Sequence, residues 1–284
     1  MPETTTQRHL GLFDATSIGV GAIVGGGILA LAGTAFATTG AAAWLAFLLN
    51  GGIAIITALS FAELSSAFPQ SGGTYLYAKR VLSVGAAFSV GWVVWFASIV
   101  AAALYAVGFS TFLLEAVSGL IPIPRTGLAS VVVVVGVALA ATVICTWLLC
   151  GSLRGGANWM NILKLVVFAV LIIAGLQAWL RQESMSLQRL TTPVLPYGFK
   201  GLVTAMGFTF VSLQGFDLIA AVAGEVKSPR RTLPRAMILA LLIALVVYVP
   251  LMILIVVGGV PAGRHLNEWT AQVGDLVVVE AARV

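Results

Sequence analysis

Apolar residues in this chain come in runs of twenty or more, separated by short polar stretches. The hydrocarbon core of a bilayer takes about 20 residues of helix. Windows of that length predict seven membrane-spanning helices: Asp14–Phe36, Ala41–Ala67, Val84–Ala116, Leu128–Leu149, Asn158–Leu180, Gly201–Ala223 and Leu233–Gly259. The connections carry turn chemistry, at Thr38-Thr39-Gly40, Pro69-Gln70-Ser71-Gly72-Gly73, Ile121-Pro122-Ile123-Pro124, Gly151 to Gly156 and Ser228-Pro229. The third span is longer than a perpendicular crossing needs, so a tilt or a projecting end is expected. Pro250 lies inside the seventh, where it predicts a kink and not a break. No linker marks a second, soluble domain, and residues 1–284 read as a single membrane domain.

Two spans carry a pattern that a plain lipid-facing helix does not. In the first, Gly25, Gly26 and Gly27 are consecutive. Each glycine costs about 1 kcal/mol against alanine inside a helix, so the three together predict an interruption. In the sixth, Phe208-Thr-Phe-Val-Ser-Leu-Gln-Gly-Phe-Asp217 places Ser212, Gln214, Gly215 and Asp217 where leucine would serve. Asp217, just past Gly215, suits the positive N-terminal end of a second half-helix. Small and polar residues also serve close helix–helix packing, which is the ordinary reading of one such segment. Two of them, five spans apart, favour broken helices. Unwound backbone at membrane depth is tolerated where it lines a cavity, and broken helices are where inverted-repeat transporters hold their substrate.

Composition agrees with the membrane reading. Of 284 residues 60% are hydrophobic and 9% charged, and the mean hydropathy is +1.07. A soluble domain carries about 25% charged residues. The net charge of +5 resides in loops. With the N-terminus inside, Arg8, Lys79, Arg80, Arg154, Lys227, Arg230, Arg231 and Arg235 face inward, and Arg125, Arg181, Arg189, Lys200, Arg264 and Arg283 face outward. Both dense clusters, Lys79-Arg80 and Lys227 to Arg235, fall on the inner side, so a cytoplasmic N-terminus and a multi-pass place in the cell membrane are expected. The first span is expected to act as an uncleaved insertion signal, because Met1 to Leu10 is polar. No solvated basic face remains for nucleic acid. Cys145 and Cys150 share one apolar run and read as small buried hydrophobes. Both histidines, His9 and His265, lie outside the spans, and no HExxH or nucleophile motif occurs, so neither an enzyme nor a metal or other cofactor is expected. A dinucleotide fingerprint begun by Gly19-Val-Gly21 is rejected for want of a strand and a βαβ unit.

Lys164 is the basic residue left over from the loop and span-end clusters, about 9 Å along the fifth span from Asn158 at 1.5 Å per residue. A lysine at mid-depth costs roughly 2.5–3.5 kcal/mol on insertion scales and is a functional candidate. Snorkelling to the inner interface is the competing reading.

These residues resemble those of the amino acid–polyamine–organocation superfamily of permeases, over essentially the whole chain. The resemblance rests on Gly-Ala-Ile-Val-Gly-Gly-Gly-Ile-Leu in the first span, and on Phe61-Ala-Glu-Leu-Ser-Ser-Ala-Phe-Pro-Gln-Ser-Gly-Gly-Thr-Tyr-Leu-Tyr77 after the second. Gly215-Phe-Asp, followed by Gly224-Glu-Val-Lys-Ser-Pro-Arg-Arg-Thr-Leu-Pro-Arg235, completes it. It implies an inverted-repeat transporter fold, all-α, with helices one and six broken. Residues 12–180 would form the first five-helix repeat, and residues 200–284 an incomplete start of the second. On this reading the sequence is the N-terminal part of a permease, truncated after helix seven. Asp275-Leu-Val-Val-Val-Glu-Ala-Ala-Arg283 is similar to the family's outer loop helix.

The function implied is secondary active transport of an amino acid or related amine by alternating access, without sodium and with proton coupling or exchange. The N–H groups of Gly25, Gly26 and Gly27 would hold the substrate carboxylate. By the resemblance, the carbonyls of Ile23, Val211 and Gln214 would accept its ammonium. Lys164 matches the lysine that family members use in place of a sodium ion, bridging helices one and five, with carbonyls around Gly19 to Ala22 as partners. A lysine there is also placed to titrate. Val211 stands where many members carry an aromatic gate, so Phe208, Phe210 or Phe216 is expected to supply the ring. The alternative is a non-transporting membrane subunit or relic that associates with another membrane protein.

Overall fold

The computed structural model describes residues 8–118, 127–150, 157–181, 190, 195–261 and 264–283. The turns expected at Ile121–Pro124 and Gly151–Gly156, and Arg125, Arg154 and Arg189 of the charge count, lie outside the described residues. Every regular element within them is helical, and six helical runs are long and apolar enough to cross a bilayer. Those runs are Gly26–Ala67, Val84–Val117, Gly127–Leu148, Met160–Gln177, Gly198–Ala221 and Pro229–Gly258. A chain of this kind is a multi-pass membrane protein.

The first expected span is two helices, α1 (Leu12–Ile23) and α2 (Gly26–Thr39). A 3-10 turn at Gly40–Ala42 leads into α3 (Ala43–Ala67), so α2 and α3 make one apolar run by length. Next come α4 (Gly73–Val81), α5 (Val84–Val117), α6 (Gly127–Cys150) and α7 (Ala157–Arg181). The sixth expected span is α8 (Gly198–Thr209), a 3-10 turn at Phe210–Leu213, and α9 (Asp217–Ala221). Then α10 (Pro229–Gly258) runs unbroken past Pro234 and Pro250. Two short helices, α11 (Leu266–Val273) and α12 (Val277–Ala281), close the described chain.

Two compact units are present. The larger joins residues 1–94 to 157–284, and the smaller is residues 95–156, most of α5 and α6. In the larger unit α10 packs on α1, α3 and α7. Its Ala236, Ala240, Ala244 and Tyr248 recur every fourth residue and are all buried. On α3, Ala46, Asn50, Ala54, Ala58 and Ala62 do the same. A spacing of four keeps residues on one helix face, and small side chains let backbones approach where lipid supplies no hydrophobic drive. In the smaller unit Cys145 is exposed on α6, contrary to the expected burial. Its run is apolar on all sides, so hydropathy alone could not choose the inward face.

Ahead of α1, the N–H groups of His9 and Leu10 donate to the Glu225 carbonyl at 2.9 and 3.0 Å, and Lys227 N–H donates to the Leu10 carbonyl at 2.9 Å. Leu10 and Val226 thereby form an isolated parallel bridge. The segment entering helix one is thus pinned to the connection between α9 and α10.

Candidate functional site

Helix one ends where Val24 turns extended (φ −78°, ψ 101°), and Gly25 continues extended at φ −175°. The interruption therefore lies one to two residues before the centre of the glycine triplet. Gly26 and Gly27 are the first two residues of α2, where a missing side chain costs little and the N–H groups have no intrahelical partner. A Cβ at Gly25 would meet nothing within 4 Å, and Gly26 is exposed. An open space thus adjoins the positive end of a 14-residue helix, the arrangement that binds anions.

The second interruption faces the first. After the 3-10 turn, Gln214 is extended and Gly215 takes φ 132°, a conformation that favours glycine. A Cβ at Gly215 would come 2.7 Å from the Ala22 Cβ and 3.0 Å from the Ile23 nitrogen. Bare backbone of helix six therefore rests on the last turn of α1. Asp217 begins α9, where its carboxylate suits the helix N-terminus. The Val211 carbonyl accepts the Gln214 N–H at 3.2 Å, and the Gln214 side chain is exposed.

Two residues that the sequence reading passed over brace these breaks, Tyr248 reaching both and Asn50 the second. Tyr248 of α10 is fully buried, and its hydroxyl lies 2.6 Å from the Ile23 carbonyl and 3.3 Å from that of Ser212. A phenol has one proton, so the shorter contact is the main bond. The Ile23 carbonyl keeps one lone pair for a second donor. Asn50 of α3, also buried, donates through Nδ2 to the Met206 carbonyl and the Thr209 hydroxyl, both at 2.7 Å. Ser212 in turn donates to the Thr209 carbonyl at 2.6 Å. The visible signal for Asn50 was an amide amid apolar residues; Tyr248 offered none beyond a phenol within an aliphatic run.

Lys164 of α7 donates from Nζ to the Gly21 carbonyl at 2.9 Å. The ammonium thus lies against α1, half a turn before the break. Asn161, one turn earlier, donates from Nδ2 to the Ser17 carbonyl at 2.8 Å and to the Ser17 hydroxyl at 3.1 Å.

The three phenylalanines are not gathered at one place. Phe208 is 46% exposed, Phe210 is half-buried, and Phe216 is buried against Phe61, edge to face at 5.8 Å and 84°. Among the described residues no group of three or more His, Cys, Asp or Glu is placed to hold a metal ion.

Comparison with known proteins identifies the family. The amino acid permease family model matches residues 10–281. The chain is 31% identical over 258 residues to the branched-chain amino acid permease BcaP of Bacillus subtilis, covering 87% of this chain and 54% of that protein. It is 29% identical to the methylthioribose transporter of Bacillus subtilis, over 85% of this chain and 53% of that protein. It is 31% identical to the vacuolar cationic amino acid transporter 4 of Arabidopsis thaliana, over 89% of this chain and 44% of that protein. The chain spans about half the length of the curated relatives it matches. The chain belongs to the amino acid permease family, whose members are membrane transporters and not enzymes.

Proposed function

We propose that this chain contributes the substrate-binding half of a secondary transporter for amino acids or related amines, working by alternating access. The observation that carries the reading is the Lys164 ammonium on the Gly21 carbonyl, beside an interruption that opens onto the N-terminus of α2. A fixed cation there supplies charge at the junction of helices one and five without a bound ion, which supports transport independent of sodium. A proton on Lys164, or exchange of one substrate for another, then supplies the coupling.

In this reading the N–H groups of Gly25, Gly26 and Gly27 hold the carboxylate through helix-terminus electrostatics. The substrate ammonium meets the remaining lone pair of the Ile23 carbonyl and the carbonyls of Val211 and Gln214. Phe208, Phe210 and Phe216 are the rings available for gating, and Phe216, already packed on Phe61, is the one nearest the break in sequence. Counting α1 with α2 and α8 with α9 as single broken crossings gives seven, with residues 12–180 as a first five-helix repeat and 200–284 as the start of a second. The N-terminus is cytoplasmic, as the basic clusters direct, in a multi-pass protein of the cell membrane.

The test is uptake by the purified chain in proteoliposomes, using labelled branched-chain, cationic and small neutral amino acids with and without sodium. Sodium-independent, saturable uptake of one class is expected. Correct insertion with no uptake of any of them, restored on co-reconstitution with a second membrane protein, would favour the subunit reading instead.

A further inference from the structure

Asn161 and Lys164 are three residues apart on α7 and so share a face of that helix. Both turn that face to α1, and both donate to it. The acceptors are the carbonyls of Ser17 and Gly21, four residues and one helical turn apart. Asn161 also reaches the Ser17 hydroxyl, so both amide protons are used on one residue. The contact depends on what Gly21 lacks. A Cβ there would stand 2.5 Å from Asn161 Nδ2 and 2.6 Å from its Oδ1.

One donor on one carbonyl leaves a helix free to swivel about that point. Two donors on carbonyls one turn apart fix its rotation and its axial register together. This matters because α1 stops at Ile23, two residues beyond Gly21, and the Gly25–Gly27 N–H groups follow directly. A swivel of α1 would swing the break and carry the Gly21 carbonyl off the ammonium.

We propose that Asn161 is a positioning residue: by holding both acceptors of Ser17 it sets the rotation of α1 at which the Gly21 carbonyl meets Lys164 and the α2 N-terminus faces the substrate. The proposal rests on the transport reading for its last clause only; the positioning of α1 stands without it. Asn161 touches no substrate and acts through α1.

The experiment compares Asn161→Leu, which keeps the branched four-atom shape and removes both donors, with the unaltered chain in proteoliposomes. Gly21→Ala, which pushes the amide aside without removing it from the chain, is the second variant. The first readout needs no transport. In a Cys145→Ser, Cys150→Ser background, Gly25→Cys is modified by a small methanethiosulfonate reagent. Either variant is expected to change that rate about fivefold or more, and the two together no more than one alone, because contacts that act as a unit are not additive. The second readout is initial-rate uptake with Gly25 intact. Asn161→Leu is expected to raise KM about tenfold, the scale of one buried hydrogen bond, with the maximal rate within about twofold. A residue that merely filled space would leave Asn161→Leu unchanged in both readouts, and that result overturns the proposal, as does strict additivity of the two variants. An altered modification rate in a chain that takes up no amino acid upholds the positioning of α1 and refutes the transport reading.

Discussion

The hydroxyl of Tyr248 stands 2.6 Å from the carbonyl oxygen of Ile23, the last residue of the first half of helix one. That carbonyl has no N–H four residues ahead to bond, because the helix ends there. The phenol supplies the missing donor from α10, and its ring is braced edge to face by Phe47 at 5.7 Å and 79°. Tyr248→Phe keeps the ring and removes the donor. The expected loss is about 1 kcal/mol, in the range of interhelical hydrogen bonds in membranes. Thermal unfolding in detergent should show a lowered midpoint with unchanged insertion.

Gly215 is under a double constraint, a positive φ and a backbone neighbour. Gly215→Ala should cost about 1–3 kcal/mol from the conformation alone, before the contact with Ala22 is counted. Because its neighbours belong to α1, the change should also raise the protease sensitivity of residues 12–25. An unchanged digestion pattern would mean that the two breaks do not bear on one another.

Gly26 is exposed at the start of α2, beside Gly25, where an added Cβ meets nothing within 4 Å. Gly26→Leu should leave insertion and thermal stability within about 0.5 kcal/mol, the usual range for an exposed position. Uptake in vesicles should nonetheless be lost, because the isobutyl group occupies the place a carboxylate needs beside the backbone. Parental uptake by this variant would put the substrate elsewhere.

Lys164→Ala removes the donor to Gly21. Uptake should fall at least about tenfold, the worth of one charge-assisted hydrogen bond, and the pH sensitivity of the residual activity should be lost. A lysine that merely reached for the headgroups would give neither effect. Replacing sodium by choline should change nothing in the unaltered chain.

How far the sequence carries is set by what kind of signal each feature leaves. The apolar runs announce themselves because bilayer thickness demands a length, and the glycine triplet marks a break because three consecutive glycines are costly in any helix. The ends of the break were not visible: Gly26 and Gly27 join α2, since N–H groups at a helix start tolerate glycine and only tertiary contacts with Gly215 and Tyr248 fix where α1 stops. The placement of Lys164 over Gly21 follows from one costly charge seeking carbonyls freed nearby. Asn50 and Asn161 left the same kind of signal, an amide in an apolar helix, and it was there to be read. Which way the face of α6 bearing Cys145 turns is invisible, because its hydropathy is high all round.

The short bridge between Leu10 and Val226 gives the two broken helices a common hinge pin. Residues 8–11 lead into α1, and residues 223–227 lead out of α9, so the stubs on that side of both interruptions depart from one pair of peptide groups. A tilt of the α1 stub therefore either drags the α9 stub along or tears three backbone hydrogen bonds. Locked in this way, the pair has one angle to vary where two free stubs would have two. The loop between helices six and seven becomes the lever through which any movement of the N-terminal segment is felt at the unwound backbone.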